Sequence, residues 1–133
     1  MFKMPRSIRN NNPGNLRTAK WILDNFKISI DDDGFVIFEN PLDGLTALLR
    51  LLDSNVYKDL TIEEVINKYA PPFENDTNNY VNYICNPNRS TIRKDFILKN
   101  LSALQILELL KNIIIFEGGS PNLTYEPIKP YGD

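Results

Sequence analysis

The sequence predicts an α+β fold, mainly α, with one small β-hairpin. Three observations lead there. Apolar residues recur at helical spacing over 45–56 and again over 106–114. Capping residues stand ahead of the helical stretches, and a single alternating segment is interrupted by Asp-Asp-Asp-Gly at 31–34. With 133 residues, 42% of them hydrophobic and 24% charged, the chain has the balance of one globular domain, 1–133, able to bury a core.

The chain opens with a locally basic segment, Lys3, Arg6, Arg9, Arg17 and Lys20, around Arg-Asn-Asn-Asn-Pro-Gly-Asn-Leu-Arg at 9–17. Asn, Pro and Gly at this density mark a loop. The cations form either a solvated arm or a patch for a polyanion. Phe26, Ile28 and Ile30 then alternate with polar residues, the Asp-Gly run turns the chain, and β-type residues resume at Phe35 through Phe38. A calcium loop needs ligands at alternate positions, and Phe35 and Ile37 stand there instead.

Asn40 followed by Pro41 is a capping residue with a proline at the first helical position. Leu45, Leu48, Leu49, Leu52 and Val56 behind them predict a buried helical face. Thr61 and Glu64 form a capping box for a second helix carrying Val65, Ile66 and Tyr69, stopped by Pro71 and Pro72. Asp76 or Thr77 caps a short third helix with Tyr80, Val81, Tyr83 and Ile84. The polar stretch 86–100 begins as a loop and has no clear period. Ser102 and Gln105 form another capping box, opening the strongest helix, which stops at Gly118 and Gly119. The proline-bearing tail 120–133 is expected to be extended.

Composition removes whole classes of chemistry. Histidine is absent and Cys85 is the single cysteine. No Ser-His-Asp or Cys-His system, His/Cys zinc site or internal disulfide can be assembled. A cofactor-free enzyme of this composition works through carboxylates, with Tyr and Lys behind them. Cys85 reads as a small buried apolar side chain. A net charge of −2 carries no nucleic-acid signature, and no apolar run approaches the roughly 20 residues of a membrane span. No secretory signal is read at the N-terminus, so delivery beyond the cytoplasm would need another agent.

One carboxylate stands apart. Ala103, Ile106, Leu110, Ile113, Ile114 and Glu117 follow a single helical stripe, so Glu117 extends the buried face. It also lies at the helix C-terminus, where the macrodipole disfavours a negative charge. Both effects oppose ionisation, and a carboxylic acid still protonated near neutral pH can protonate a leaving glycosidic oxygen. The other reading is a frayed helix end with Glu117 solvated before a glycine stop. Glu108, between Leu107 and Leu109, is expected on the exposed face.

Three segments together carry a resemblance: Asn10 through Arg17 with Trp21, Phe35 through Gly44, and Tyr69 through Tyr80. They resemble a family of small phage-encoded virion proteins linked to the lysozyme-like, peptidoglycan-degrading superfamily. The order of the asparagine loop, Trp21, hairpin and Tyr-Ala to Tyr segment is also similar to bacterial glucosaminidases, whose catalytic helix precedes these parts. Here Asn112 through Gly119 resembles the end of a transglycosylase catalytic helix, with Gly118 where serine is common.

The resemblance implies a circularly permuted lysozyme-like domain with Glu117 as general acid. It makes Asn12, Asn15, Trp21, Glu74 and Tyr80 the substrate-binding set, although core packing is the ordinary role for Tyr80 and for Trp21. Glu39, Glu74 and Asp31, Asp32 and Asp33 are the candidates for a second carboxylate, and the hairpin lacks the glutamate that glucosaminidases place there. A single-acid scheme follows. The implied activity is cleavage of the peptidoglycan glycan strand as a lysozyme or lytic transglycosylase, with no metal or cofactor. The alternative is a non-catalytic virion or cell-wall-binding protein that keeps the fold. Implied partners are peptidoglycan strands and other virion proteins, for a monomer residing in the virion or the host cytoplasm before delivery to the wall. The same reading sets a geometric requirement: the asparagine loop and Glu117 must line one cleft.

Overall fold

The computed structural model describes residues 4–71 and 76–119. Glu74, Pro72 and the tail 120–133 lie outside the described residues. Within them the chain is α+β: α1 (Arg6–Arg9), α2 (Lys20–Asn25), β1 (Ile28–Ile30), β2 (Val36–Phe38), α3 (Pro41–Leu52), α4 (Ile62–Tyr69), α5 (Thr77–Ile84) and α6 (Ala103–Phe116), with one 3-10 turn at Leu98–Asn100.

The capping signals become hydrogen bonds. Asn40 accepts from the Asp43 N–H with Pro41 at the first position of α3. Thr61–Glu64 and Ser102–Gln105 close reciprocal boxes ahead of α4 and α6, and Asp76 caps α5. The hairpin pairs Ile28 with Phe38 and Ile30 with Val36, antiparallel. Asp31 makes its turn: Oδ1 accepts from the N–H groups of Asp33 and Phe35, both at 2.9 Å, and Gly34 takes φ 88°.

Several helical faces differ from the expected ones. The buried side of α3 is Gly44, Ala47, Leu48 and Leu52; Leu49 is exposed, and Val56 lies past the helix end at 57% exposure. In α6 the stripe begins later than expected, with Ala103 exposed and Leu109, Leu110, Asn112, Ile113 and Ile114 buried. The short helices α1 and α2 carry no side-chain cap, and both are too short to show a period. The stretch 86–100 is pinned to α4 by N–H donation from Ile62 to Phe96 and from Glu63 to Lys94, and it buries Ile92 and Leu98. Glu108 is no free surface residue, because its Oε2 accepts from the Thr91 N–H and hydroxyl.

Helix α5 packs against both α4 and α6, and α3 packs on β2. Tyr80, Leu48, Ile62, Ile66, Ile84, Leu109 and Ile113 are almost fully buried where these elements meet. The asparagine loop closes the other side by lying directly on α3. A Cβ at Gly44 would fall on the Asn11 carbonyl oxygen and 2.7 Å from Pro13 Cδ, neither of which can swing away. Gly44→Ala is therefore expected to destabilise the fold by about 3 kcal/mol, the upper end of ordinary overpacking. That exceeds the helix-propensity gain of about 1 kcal/mol. A lowered denaturant midpoint would report it, and an unchanged midpoint would contradict this packing.

Candidate active site

The loop at 10–17 is built by its own amides. Asn10 Nδ2 donates to Asp31 Oδ2, Asn11 Nδ2 to the Phe38 carbonyl, and Asn12 Nδ2 to the carbonyls of Leu16 and Val36. Asn12 Oδ1 accepts in turn from the Leu16 N–H. Three consecutive amides thus fasten the loop to β2 and the turn. Asn12 is 0% exposed and is not among the residues that line the cleft at Glu117, which corrects its expected role as a sugar contact. Every polar atom of its side chain is already taken.

Asn15 is different. Its backbone is left-handed, φ 48°, a conformation asparagine tolerates better than most residues. That turn sends Nδ2 to Glu117 Oε1 at 2.9 Å, with the Glu117 carbonyl at 3.4 Å. The second carboxylate oxygen, Oε2, accepts from the Tyr80 hydroxyl at 2.7 Å. Tyr80 is 1% exposed, stacks on Phe116 at 3.9 Å and meets Tyr69 edge-on. Its hydroxyl is thus engaged by Glu117 and not free for the expected sugar contact. Tyr69 in turn donates to the Gly14 carbonyl, joining α4 to the loop.

Helix α6 does not fray. Glu117 is its C-cap; the Gly118 N–H returns to Ile115 and the Gly119 N–H to Ile114, with Gly118 at φ 99°. This pair of bonds around a left-handed glycine is a Schellman stop. It sets Gly118 against Pro5, so the end of α6 rests on the start of the chain.

Burial raises the Glu117 carboxyl above its ordinary range, while the Asn15 and Tyr80 donors pull in the opposite direction without cancelling it. Burial likewise holds the Tyr69 and Tyr80 phenols well above their normal range, so both remain protonated donors.

Glu117 opens into a cleft of about 880 Å³, lined also by Gly14, Asn15, Trp21, Phe35 and Tyr69. Trp21 is partly buried against the core and presents one side to the cleft. The only other carboxylate lining it, among the described residues, is Asp33, whose Oδ2 takes the Arg6 guanidinium at 2.7 Å. Glu39 lies away from the cleft, 3.8 Å from Lys27. Asp31 belongs to the turn. Its carboxyl sits below the usual range: desolvation opposes this, but the Phe35 and Asp33 N–H groups, the Asn10 amide and Arg6 outweigh it.

Residues the sequence reading did not single out for the site are Arg6, Arg17, Phe35, Lys68 and Phe116. Arg6 and Arg17 lie over the Phe35 ring at 4.2 and 4.3 Å, so these two cations are held against the hairpin and are not part of a solvated arm. No spacing signal links Arg6, Arg17 and Phe35, because only the hairpin brings them together. Among the described residues, no group of three Cys, Asp or Glu side chains is arranged to hold a metal ion.

Fold and site together define a class: a mainly helical α+β domain that holds one hydrogen-bonded, partly buried carboxyl at a helix end inside a cleft. No family model matches the chain. Protein P5 of Pseudoalteromonas phage PM2 is 31% identical over 131 residues, covering 93% of this chain and 78% of that protein. The chain belongs to the family of that phage protein. No helix among the described residues is long and apolar enough to cross a membrane.

Proposed function

We infer that the chain is a muralytic enzyme that cleaves the peptidoglycan strand between N-acetylmuramic acid and N-acetylglucosamine, with Glu117 as its acid and base. The observation that carries this reading is the Glu117 carboxyl, which opens into the cleft, is gripped through both oxygens by Asn15 and Tyr80, and is pushed by burial towards holding its proton. The protonated carboxyl gives its proton to the glycosidic oxygen as the C–O bond breaks. The same two donors then stabilise the carboxylate left behind. That carboxylate removes a proton either from water, giving a reducing end, or from the muramyl hydroxyl, giving an anhydro end. Asp33 is engaged by Arg6, which favours a single-acid scheme.

The contact between the asparagine loop and Glu117, with Gly118 resting on Pro5, supports a circularly permuted lysozyme-like domain, because it meets the geometric requirement of that reading. Kinship with a phage protein supports a virion-associated role. The direct test is digestion of purified peptidoglycan followed by mass spectrometry of the soluble products. Muropeptides are expected, and their reducing or anhydro ends distinguish hydrolase from transglycosylase. No soluble product would overturn the enzyme reading in favour of a non-catalytic virion or wall-binding protein.

Tyr80→Phe tests the electrostatics. Losing the hydroxyl removes a donor that favours the ionised carboxyl, so Glu117 should stay protonated to higher pH. The alkaline limb of the pH–rate profile is expected to move up, with a stability loss of about 1 kcal/mol. A downward shift would contradict the assigned hydrogen bond.

A further inference from the structure

The charges around the cleft are unevenly matched. Arg6, Arg17 and Lys68 line it together with Asp33 and Glu117. Arg6 is matched by Asp33 at 2.7 Å and Asp31 at 3.5 Å, and both carboxyl oxygens of Glu117 are taken by Asn15 and Tyr80. Arg17 and Lys68 have no carboxylate partner among the described residues. The chain carries a net charge of −2, yet among the described residues its cleft keeps two cations without a carboxylate partner.

These two cations come from different elements, Arg17 from the asparagine loop and Lys68 from the last turn of α4. Arg17 is also held in place before any ligand arrives. Its Nη1 donates to the Asp33 carbonyl at 2.9 Å and its guanidinium lies 4.3 Å from the Phe35 ring centre. Among the described residues its Nε and Nη2 have no acceptor, so a planar guanidinium edge remains available. An arginine fixed in this way loses little side-chain entropy on binding and suits the two oxygens of a carboxylate.

We propose that Arg17 and Lys68 form a carboxylate-binding rim, recognising the acidic arms of the glycan strand rather than its sugars. The rim rests on the muralytic reading for its ligand, and it extends that reading to selection between acidic and neutral N-acetylated glycans. Neutral N-acetylglucosamine oligosaccharides offer no negative charge to either cation. Strands with peptide arms present several carboxylates, and strands stripped of peptide still carry the lactyl carboxylate.

The test is binding by calorimetry, measured for wild type, Arg17→Gln, Lys68→Gln and the double variant. The probes are soluble glycopeptide strands, the same strands with carboxylates converted to neutral amides, peptide-stripped strands, and N-acetylglucosamine oligosaccharides. Wild type is expected to prefer the carboxylate-bearing strands, increasingly so at low salt. Each single variant should weaken that binding about 5-fold and the double on the order of 20-fold, with no change for amidated strands or neutral oligosaccharides. Retained affinity for peptide-stripped strands would assign the lactyl carboxylate; its loss would assign the peptide arms. Lys68 is exposed, so its variant reports on binding even if Arg17→Gln unfolds the hairpin turn. Equal losses on all four probes, or no loss on any, would overturn the rim. Strands that bind selectively but are never cut would uphold it and overturn the muralytic reading instead.

Discussion

Glu117→Gln is expected to lower strand cleavage by about 10²- to 10⁴-fold, the usual contribution of a positioned general acid. The variant should fold normally, because glutamine can keep both neighbours: its oxygen accepts from Asn15, and its amide donates to the Tyr80 oxygen. Stability should move the other way from activity. Since burial raises the carboxyl in the folded state, the native protein holds that proton more tightly than the unfolded chain does. The resulting stabilisation is fully present below the titration range of an unfolded glutamate and is lost as pH rises through the folded value. Glutamine has no proton to lose. Its melting temperature is expected to exceed that of wild type at neutral pH, with the gap closing on acidification. Unchanged cleavage by the variant would remove Glu117 from the chemistry. A lower melting temperature at neutral pH would show that the ionised carboxylate stabilises the fold, contrary to its surroundings.

The second large effect concerns a residue from which catalysis takes nothing. Asn12→Ala deletes two donations to carbonyls and one acceptance from the Leu16 N–H, all in the interior. Stranding such groups costs roughly 1–3 kcal/mol each, so a loss of about 3–5 kcal/mol is expected in chemical denaturation. Asn12→Asp should be as damaging or worse, because a carboxylate oxygen would then face the Leu16 and Val36 carbonyls that the amide nitrogen now satisfies. If Asn12 were instead a sugar contact, both variants would fold with wild-type stability and bind substrate more weakly.

The contrast between Asn12 and Asn15 shows where sequence reasoning reached its limit. Both are asparagines of one loop, and nothing local separates them. Asn12 faces the neighbouring strand, while the left-handed turn at Asn15 aims its amide at a helix end 102 residues away. Capping signals were legible because each joins groups three residues apart, as at Thr61–Glu64 and Ser102–Gln105. The hairpin was legible for the same reason. Glu117 was legible because the apolar stripe and helix end lie within one segment. The phase of α6 was read less well, since Leu104, Ile106, Leu107, Leu109 and Leu110 are apolar on nearly every side. Packing against α5 then decided that Leu104 is 74% exposed while Asn112 is buried. The pairing of Arg6 and Arg17 on Phe35 depends wholly on tertiary structure and left no trace in spacing.

The bond from Asn15 to Glu117 also has a consequence for the order of events during folding. Its partners are separated by 102 residues, and closing so long a loop is entropically costly until other contacts have brought its ends together. The loop, hairpin and α3 can associate through neighbours close in sequence, but the carboxyl reaches its two donors only when α6 docks. The acid, its hydrogen bonds and its shifted proton affinity therefore arrive together, when α6 docks. A partly folded chain can own the cleft's walls and still lack the group that would act in it.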